Sequence, residues 1–216
     1  MNIELRREQK SDYRETENMT REAFWNHYSP GCCEHYLLHI MRNSPNFVKE
    51  LDFVAVSDNQ IIGNVVYMKS FIMADNGEKY EVLSLGPISV LPAYQRKGIG
   101  RLLIERTREV AREMGFRAIL LCGDPDYYSR VGFIQAETLG IRTSENMYAA
   151  ALHVCELYEN ALADAKGRYF EDDIYNVDET AAAEFDKMFP AKEKISGTPT
   201  QKRFEEVVVM QREFLS

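Results

Sequence analysis

Apolar positions near the start of the chain recur with the spacing of amphipathic helices. Residues 11–27 and 33–43 each predict a helix, and a Pro-Gly pair separates the two. Ser11 or Asp12 stands where the first helix needs an N-cap, and Glu15 is placed to complete a capping box. Two helices are therefore expected ahead of the main sheet.

A short first strand is predicted near the start of the chain, and runs of β-branched and aromatic residues further along predict a hairpin. The run 3–7 predicts the first strand, and residues 52–57 and 61–68 flank an Asp-Asn-Gln turn that favours an antiparallel hairpin. A further strand is expected at 80–90. Because proline cannot donate to a strand ladder, Gly86-Pro87 inside this strand predicts a bulge or a local splay.

The next segments of the chain predict a β-α-β unit. Residues 98–114 carry apolar positions on one helical face, and Gly115 is a helix C-cap glycine. Residues 117–122 form an apolar run typical of a buried parallel strand. Strand, helix and strand therefore form one unit with a right-handed crossover.

The last third of the chain has a weaker pattern. Residues 147–156 fit either a strand or a helix, and the Ala-rich residues 157–165 predict a helix. From residue 167 onward the charge rises and prolines and glycines punctuate the chain. We therefore expect a main domain at residues 1–166 and a partly irregular extension at 167–216 packed on the same domain.

The composition is ordinary for a globular protein. Of the 216 residues, 45% are hydrophobic and 28% are charged. No apolar run is long enough to span a bilayer, and the polar N-terminus lacks the apolar core of a signal peptide. The net charge of −8 argues against general nucleic-acid binding, but it permits an anionic ligand where positive charge is concentrated locally. Four cysteines without a C-x-x-C pair indicate reduced thiols, so we expect a cytoplasmic protein with no membrane or nucleic-acid partner.

The segment from Gln95 to Gly100 (QRKGIG) lies between a predicted strand and a predicted helix. Glycines let the main chain turn tightly, and the start of a helix offers unpaired N–H groups and a partial positive charge. Arg96, Lys97 and Arg101 add positive charge there. Such a combination is typical of a pyrophosphate site, and its alternative is a glycine-rich turn with a solvated basic face.

Two commoner phosphate motifs do not fit this segment. A P-loop needs the order Gly-Lys-Ser/Thr, which is absent from the segment. A dinucleotide-binding fingerprint needs a third glycine, and Leu103 stands at that position.

Residues 85–133 resemble the central region of the GNAT acetyltransferases in three elements that occur in the same order. Residues 95–100 match the family's Q/R-x-x-G-x-G/A loop, and 83–92 match its hydrophobic strand with a Pro-containing turn. Tyr128 precedes Gly132-Phe133 as a tyrosine does in the family. The phrase GDPDYYSRVGF further resembles the YhbS-like branch of predicted N-acetyltransferases.

This resemblance implies the GNAT fold, an α/β architecture with a central mixed, mostly antiparallel sheet that is splayed at the cofactor strand and flanked by helices. It implies acetyl-CoA as cosubstrate, no metal, and direct attack on the thioester by an amine of a small molecule or a protein. The cofactor-binding residues that it implies are Ile88, Ser89, Val90, Gln95, Arg96, Lys97, Gly98, Ile99, Gly100 and Arg101.

The resemblance also implies two catalytic groups. The main-chain N–H of Ile88 polarises the thioester carbonyl, and one such donor is typically worth about 3 kcal/mol in the transition state. Tyr128 acts as the general acid that protonates the departing thiolate. The alternative for Tyr128 is an ordinary aromatic residue in a short helix.

No general base is evident in the sequence. In the histone-modifying branch of the family a Glu on the splayed strand accepts the proton, and alignment on the glycine loop places Ser84 at that position. Glu81, Asp124 and Asp126 are nearby acids, each of which is more often solvated or capping.

Several alternatives stay open at this stage. Because Ser84 replaces a Glu, a non-catalytic acyl-CoA-binding or sensing domain is the second hypothesis, and another phosphate-ligand enzyme is a third. His35 and His39 have a spacing that can bind a metal, but a helix face is the favoured interpretation. A homodimer is possible, because a late exposed strand often pairs in this family.

Overall fold

The computed structural model describes residues 2–215 and mixes helices with strands. The α-helices are α1 (Tyr13–Phe24), α2 (Glu34–Met41), α3 (Ile99–Glu113), α4 (Pro125–Tyr128), α5 (Glu179–Asp186) and α6 (Pro199–Val208). The strands are β1 (Glu4–Arg7), β2 (Phe53–Ser57), β3 (Gln60–Ala74), β4 (Lys79–Val90), β5 (Ala118–Cys122), β6 (Ile134–Gln135), β7 (Ile141–Arg142), β8 (Met147–Ala149), β9 (Leu152–Glu156), β10 (Gly167–Phe170) and β11 (Gln211–Glu213).

Strand pairing is mostly antiparallel, which confirms the fold class expected from the sequence. The pairs β1–β2, β2–β3, β3–β10, β5–β9, β6–β9 and β8–β11 are antiparallel. The pairs β4–β5 and β7–β10 are parallel. Parallel pairing of β4 with β5 across α3 is the β-α-β unit that the sequence pattern predicts.

Main-chain contacts divide the chain into two compact units. Unit 1 contains residues 2–67, 86–107 and 173–202, and unit 2 contains residues 68–85, 108–172 and 203–215. The boundary between a main domain at 1–166 and an extension at 167–216 stays a prediction.

Unit 1 places the start of α3 closely against β3. A Cβ added at Gly63 would lie 3.1 Å from side-chain atoms of both Ile99 and Leu103, so this helix approaches the strand as nearly as glycine allows. One turn further along α3, the Thr107 hydroxyl is hydrogen-bonded to the buried Tyr67 hydroxyl at 2.6 Å. These contacts fix the first turn of α3 relative to the sheet.

Unit 2 is built around a five-residue antiparallel ladder between β5 and β9. Its core is apolar and includes Ile72, Val82, Leu120 and Val154, none of which exposes any surface. A Cβ added at Gly167 would lie 2.2 Å from the Met73 carbonyl oxygen, so β10 approaches β3 closely at that position. On its other edge β10 pairs in parallel with β7.

The last-third predictions are partly wrong. Residues 147–156 resolve into two strands, β8 and β9, whereas residues 157–165 form turns and no helix. Asn160 adopts a left-handed φ of 56°, and the Leu162 N–H donates to the Glu156 carboxylate at 2.8 Å. The left-handed residue interrupts a helical backbone, and the side-chain acceptor binds an N–H group that a helix would otherwise pair. These two features outweigh the helix propensity of the alanines.

The capping prediction for α1 is confirmed in part: Asp12 is the N-cap residue, as predicted, but the capping box with Glu15 does not form. Asp12 is the N-cap residue but makes no side-chain cap, because its carboxylate binds the Gln9 N–H and the Arg6 guanidinium. The Glu15 carboxylate instead accepts the Ile61 N–H at 2.9 Å. Within residues 2–215, no helix combines the length and the apolar character needed to cross a membrane.

Candidate active site

The loop between β4 and α3 turns through two left-handed residues. Arg96 has φ 60° and Gly98 has φ 84°, and α3 begins at Ile99 directly after them. A Cβ added at Gly98 would meet no atom within 4 Å, so the backbone conformation and not crowding favours glycine here. The space beside Gly98 is therefore open to a ligand.

The first turn of α3 is suited to an anion. The helix has 15 residues and no acidic residue in its first turn, so its N-terminal partial charge is not offset locally. Residues 95–98 are exposed, whereas Ile99 and Gly100 are buried. The main chain thus forms the base of the loop, and the side chains of Arg96 and Lys97 extend from its exposed part.

Side chains within unit 1 hold this loop in shape. The Gln95 side-chain amide donates to the Val90 carbonyl at 3.1 Å, and the Lys97 ammonium donates to the Ala93 carbonyl at 2.9 Å. Arg101 donates to Glu105 at 2.6 Å. The structure therefore brings the predicted loop residues together with the end of β4, as the sequence motif requires.

The second half of β4 alternates between buried and partly open residues. Ser89 is buried and its hydroxyl is hydrogen-bonded to the Thr20 hydroxyl at 3.0 Å, while Ile88 and Val90 are half-buried on the other face. The Gly86 carbonyl accepts the Tyr175 hydroxyl at 3.1 Å. Tyr175 is a contact that the sequence pattern did not indicate.

The parallel ladder between β4 and β5 is short. It pairs Leu83 with Ile119 and Ser84 with Leu120. Both pairs precede Gly86-Pro87, where proline removes a donor from the strand. The main chain of Ile88 and Val90 lies beyond this ladder, as the predicted splay requires.

Tyr128 occupies the last position of α4 in unit 2. The Asp124 carboxylate caps this short helix by accepting the Asp126 N–H at 2.9 Å. A Cβ added at Gly123 would lie 2.2 Å from the Tyr128 ring, so glycine permits the ring position. The ring also packs edge-on against Phe133 with 5.7 Å between centroids.

An arginine from α6 holds the start of α4. The Arg203 guanidinium donates two hydrogen bonds to Asp124, at 3.0 and 3.1 Å, and one to Asp126 at 2.8 Å. Its hydrogen bonds lower the pKa of Asp124. Both acids are thus engaged by a cation, which argues against their use as a base. No local pattern in the sequence indicated Arg203, because it is 79 residues from Asp124.

Ser84 is buried and its hydroxyl is hydrogen-bonded to the Tyr169 hydroxyl. It therefore has no direct role as a solvent-exposed base. Glu81, the remaining acid considered on β4, is exposed and lies 3.6 Å from the Lys69 ammonium.

The histidine pair on α2 binds acids. His35 Nε2 lies 3.1 Å from the Asp186 carboxylate, and His39 Nδ1 lies 2.9 Å from the Glu17 carboxylate. Burial lowers the pKa of His35 to about 4. Residues 2–215 contain no group of three or more His, Cys, Asp or Glu side chains that could hold a metal ion.

A glycine loop that feeds a long helix from the end of a strand, on a mostly antiparallel sheet, defines an acyltransferase of the GNAT type. The model of the acetyltransferase (GNAT) family matches residues 4–140, so the chain belongs to this family. The chain is therefore a GNAT N-acetyltransferase, and its fold and the resemblance found in its sequence are confirmed.

Relatives agree in sequence and in structure. The uncharacterised N-acetyltransferase YhbS of Escherichia coli K12 is 30% identical over 118 residues, which cover 54% of this chain and 69% of that protein. A crystal structure of Escherichia coli YhbS in complex with CoA matches with a TM-score of 0.72 and 25% identity, covering 82% of this chain and 93% of that one. A GNAT acetyltransferase from Brucella melitensis in complex with acetyl-CoA matches with a TM-score of 0.64 and 25% identity, covering 81% and 98%.

Proposed function

We propose that this chain binds acetyl-CoA at the β4–α3 loop and transfers the acetyl group to an amine of a small molecule or a protein. The main observation behind this proposal is the left-handed turn at Gly98, which has open space beside it. It directly precedes the first turn of α3, which contains no acidic residue. The CoA and acetyl-CoA complexes of two relatives support the same ligand.

The residues of unit 1 fit the diphosphate of this cosubstrate. The N–H groups in the first turn of a helix have no intrahelical acceptor and point toward an anion. Arg96 and Lys97 are exposed beside them and add full positive charges. A side chain at position 98 would enter the open space, so glycine keeps the main chain accessible. Within the predicted set, Gln95 supports the loop through Val90.

The end of β4 is proposed to align the acyl arm. When bound, acetyl-CoA supplies an acetyl group activated as a thioester. The main-chain groups of Ile88 and Val90 follow the end of the ladder with β5. This supports the proposal that they pair with the arm as an added strand would. The Ile88 N–H is the proposed donor to the thioester carbonyl.

Catalysis is proposed to proceed by direct attack within a ternary complex. Holding both reactants in place can offset roughly 7–11 kcal/mol of barrier in favourable cases. Tyr128 is the proposed general acid for the departing thiolate, and its ring is fixed by Gly123 and Phe133. A homodimer and a cytoplasmic location stay predictions, the former checked by sedimentation velocity.

The test combines binding with turnover. Isothermal titration with CoA, ATP and NAD should show binding of CoA alone among the three. Thiol release from acetyl-CoA should then rise with at least one amine from a panel containing spermidine, tyramine and a lysine peptide. Preference for ATP or NAD would contradict the proposal, and tight acetyl-CoA binding without thiol release from any amine would favour a non-catalytic binder.

A further inference from the structure

A chain of hydroxyl groups in unit 2 leads from the buried Ser84 to an exposed carboxylate. The Ser84 and Tyr169 hydroxyls are hydrogen-bonded and both side chains are buried. Tyr169 is also hydrogen-bonded to the Glu171 side chain, which lies two residues further along. Since a carboxylate only accepts, Tyr169 donates to Glu171 and Ser84 donates to Tyr169.

The Glu171 carboxyl group is accessible to solvent but is partly desolvated by the protein around it. The side chain is exposed to solvent, yet the protein around it displaces enough hydration to raise its pKa, while the Tyr169 hydrogen bond lowers it. A carboxylate whose pKa is raised is a stronger base than an ordinary carboxylate. The group can therefore be reached by a substrate and can accept its proton.

A second carboxylate close to Glu171 behaves in the opposite way. Ser144 donates to Glu145 at 2.6 Å, and this hydrogen bond lowers the pKa of Glu145. Burial is the main cause of the raised pKa of both Glu171 and the Cys122 thiol, and the negative charge of Glu145 raises both further. The Arg168 guanidinium donates to the Ser144 carbonyl at 3.4 Å. Two carboxyl groups with opposed pKa shifts are a common sign of divided chemical roles.

We propose that Glu171 is the catalytic residue that takes the proton from the acceptor's ammonium group, and that Tyr169 and Ser84 are positioning residues that hold its carboxylate. This inference rests on the proposed function, because a proton acceptor is needed only where an amine is acylated. In the step, one N–H bond of the ammonium breaks and an O–H bond to Glu171 forms. The amine becomes neutral and nucleophilic, and Glu171 later releases the proton to water.

The first test removes the base with little change in shape. Glu171→Gln should lower kcat/KM about 100-fold or more with the amine that gives the fastest thiol release, and it should abolish the acidic limb of the pH profile. Its affinity for CoA should match that of the wild type. Glu159→Gln, an exposed acid in the same unit, is the matched control and should leave both unchanged.

Two further variants should move the acidic limb in opposite directions. Tyr169→Phe removes a hydrogen bond that lowers the pKa of Glu171, so the limb should shift to higher pH. Glu145→Gln removes a charge that raises this pKa, so the limb should shift to lower pH. A merely structural role for Tyr169 would reduce stability without a shift. Because Glu145 is exposed, its variant gives a readout even if the Tyr169 variant folds poorly.

A titration without acetyl-CoA gives an independent readout. In protein carrying ¹³C-labelled glutamate carboxyls, the signal lost in Glu171→Gln should titrate above the ordinary glutamate range and shift oppositely in the other two variants. If the wild type releases thiol and Glu171→Gln has the same rate and pH profile, this inference is overturned and the proposed function is not. No thiol release by the wild type with any amine would overturn the proposed function and this inference with it.

Discussion

The β4–α3 loop of unit 1 and the Ser84–Tyr169–Glu171 chain of unit 2 are built in different ways. The loop is contiguous in sequence, and its binding groups are main-chain N–H groups that any residue except proline provides. The hydroxyl chain joins side chains 85 residues apart, and each member needs a particular oxygen atom. A main-chain site tolerates most substitutions outside its glycines, whereas a side-chain site does not.

Binding a ligand and catalysing a reaction also differ in whether they depend on main-chain or side-chain groups. Gripping a diphosphate requires donors and positive charge, which the first turn of α3 provides with Arg96 and Lys97. Moving protons requires groups whose pKa values differ, and those values depend on neighbours that the fold brings together. The two regions should therefore respond differently to substitution.

Replacing the proposed acid should give the largest effect. Tyr128→Phe should lower kcat roughly 100- to 1000-fold, because general acid catalysis contributes on this scale. Its affinity for CoA, measured by isothermal titration, should be unchanged. Tyr127→Phe is the neighbouring control, since Tyr127 is 41% exposed. An unchanged kcat would remove Tyr128 as the acid.

Substitution at the loop glycine should instead affect binding. Gly98→Ala forces an L residue into a left-handed conformation, which costs roughly 1–2 kcal/mol. If the loop relaxes to relieve that strain, CoA affinity should fall about tenfold with little change in kcat. Gly77→Ala is a close control, because Gly77 has φ 88° and the same open surroundings. Equal CoA affinity in the two variants would contradict the role of the loop.

The sequence could predict the parts of the fold and site that are local. Strand and helix periodicity located β1 to β5 and α1 to α3, and the glycine motif located the loop. Tyr128 could be proposed from the sequence because its motif lies within a few residues. Arg203, Tyr169 and Glu171 were missed, since their roles depend on contacts with distant residues that no local pattern records. The helix predicted at 157–165 failed for a local reason, because the left-handed Asn160 and the Glu156 acceptor replace its helical hydrogen bonds.

Loosening α4 should have a smaller effect than removing its tyrosine. Arg203→Gln breaks three hydrogen bonds to Asp124 and Asp126, but exposed ion pairs contribute little to stability. We expect kcat to fall about two- to fivefold, because misplacing a catalytic side chain lowers the rate. Arg212→Gln, which breaks another exposed pair with Glu137, should leave kcat unchanged. Equal kcat in both variants would show that the Arg203 contact does not position Tyr128.

The last prediction uses a carboxyl in unit 1 that is closed to solvent. Asp52 is 4% exposed, and burial with the nearby charge of Glu8 raises its pKa. Arg42 and Asn64 act in the opposite direction without cancelling this shift. Because the folded-state pKa exceeds the unfolded one, the stability from Asp52 is complete below the unfolded pKa and declines as the pH rises.

Asp52→Asn mimics the protonated acid and should remove that decline. Relative to the wild type, the variant should gain stability from about pH 6 to about pH 8, by at most about 1.4 kcal/mol per pH unit, as urea denaturation would measure. The acidic limb of its activity profile should not move, because Asp52 is buried among structural contacts. Glu171→Gln should show the reverse, with a changed activity profile and little change in stability. If the acidic limb of the pH–activity profile shifted in Asp52→Asn, burial would not distinguish a structural carboxyl group from a catalytic one in this protein.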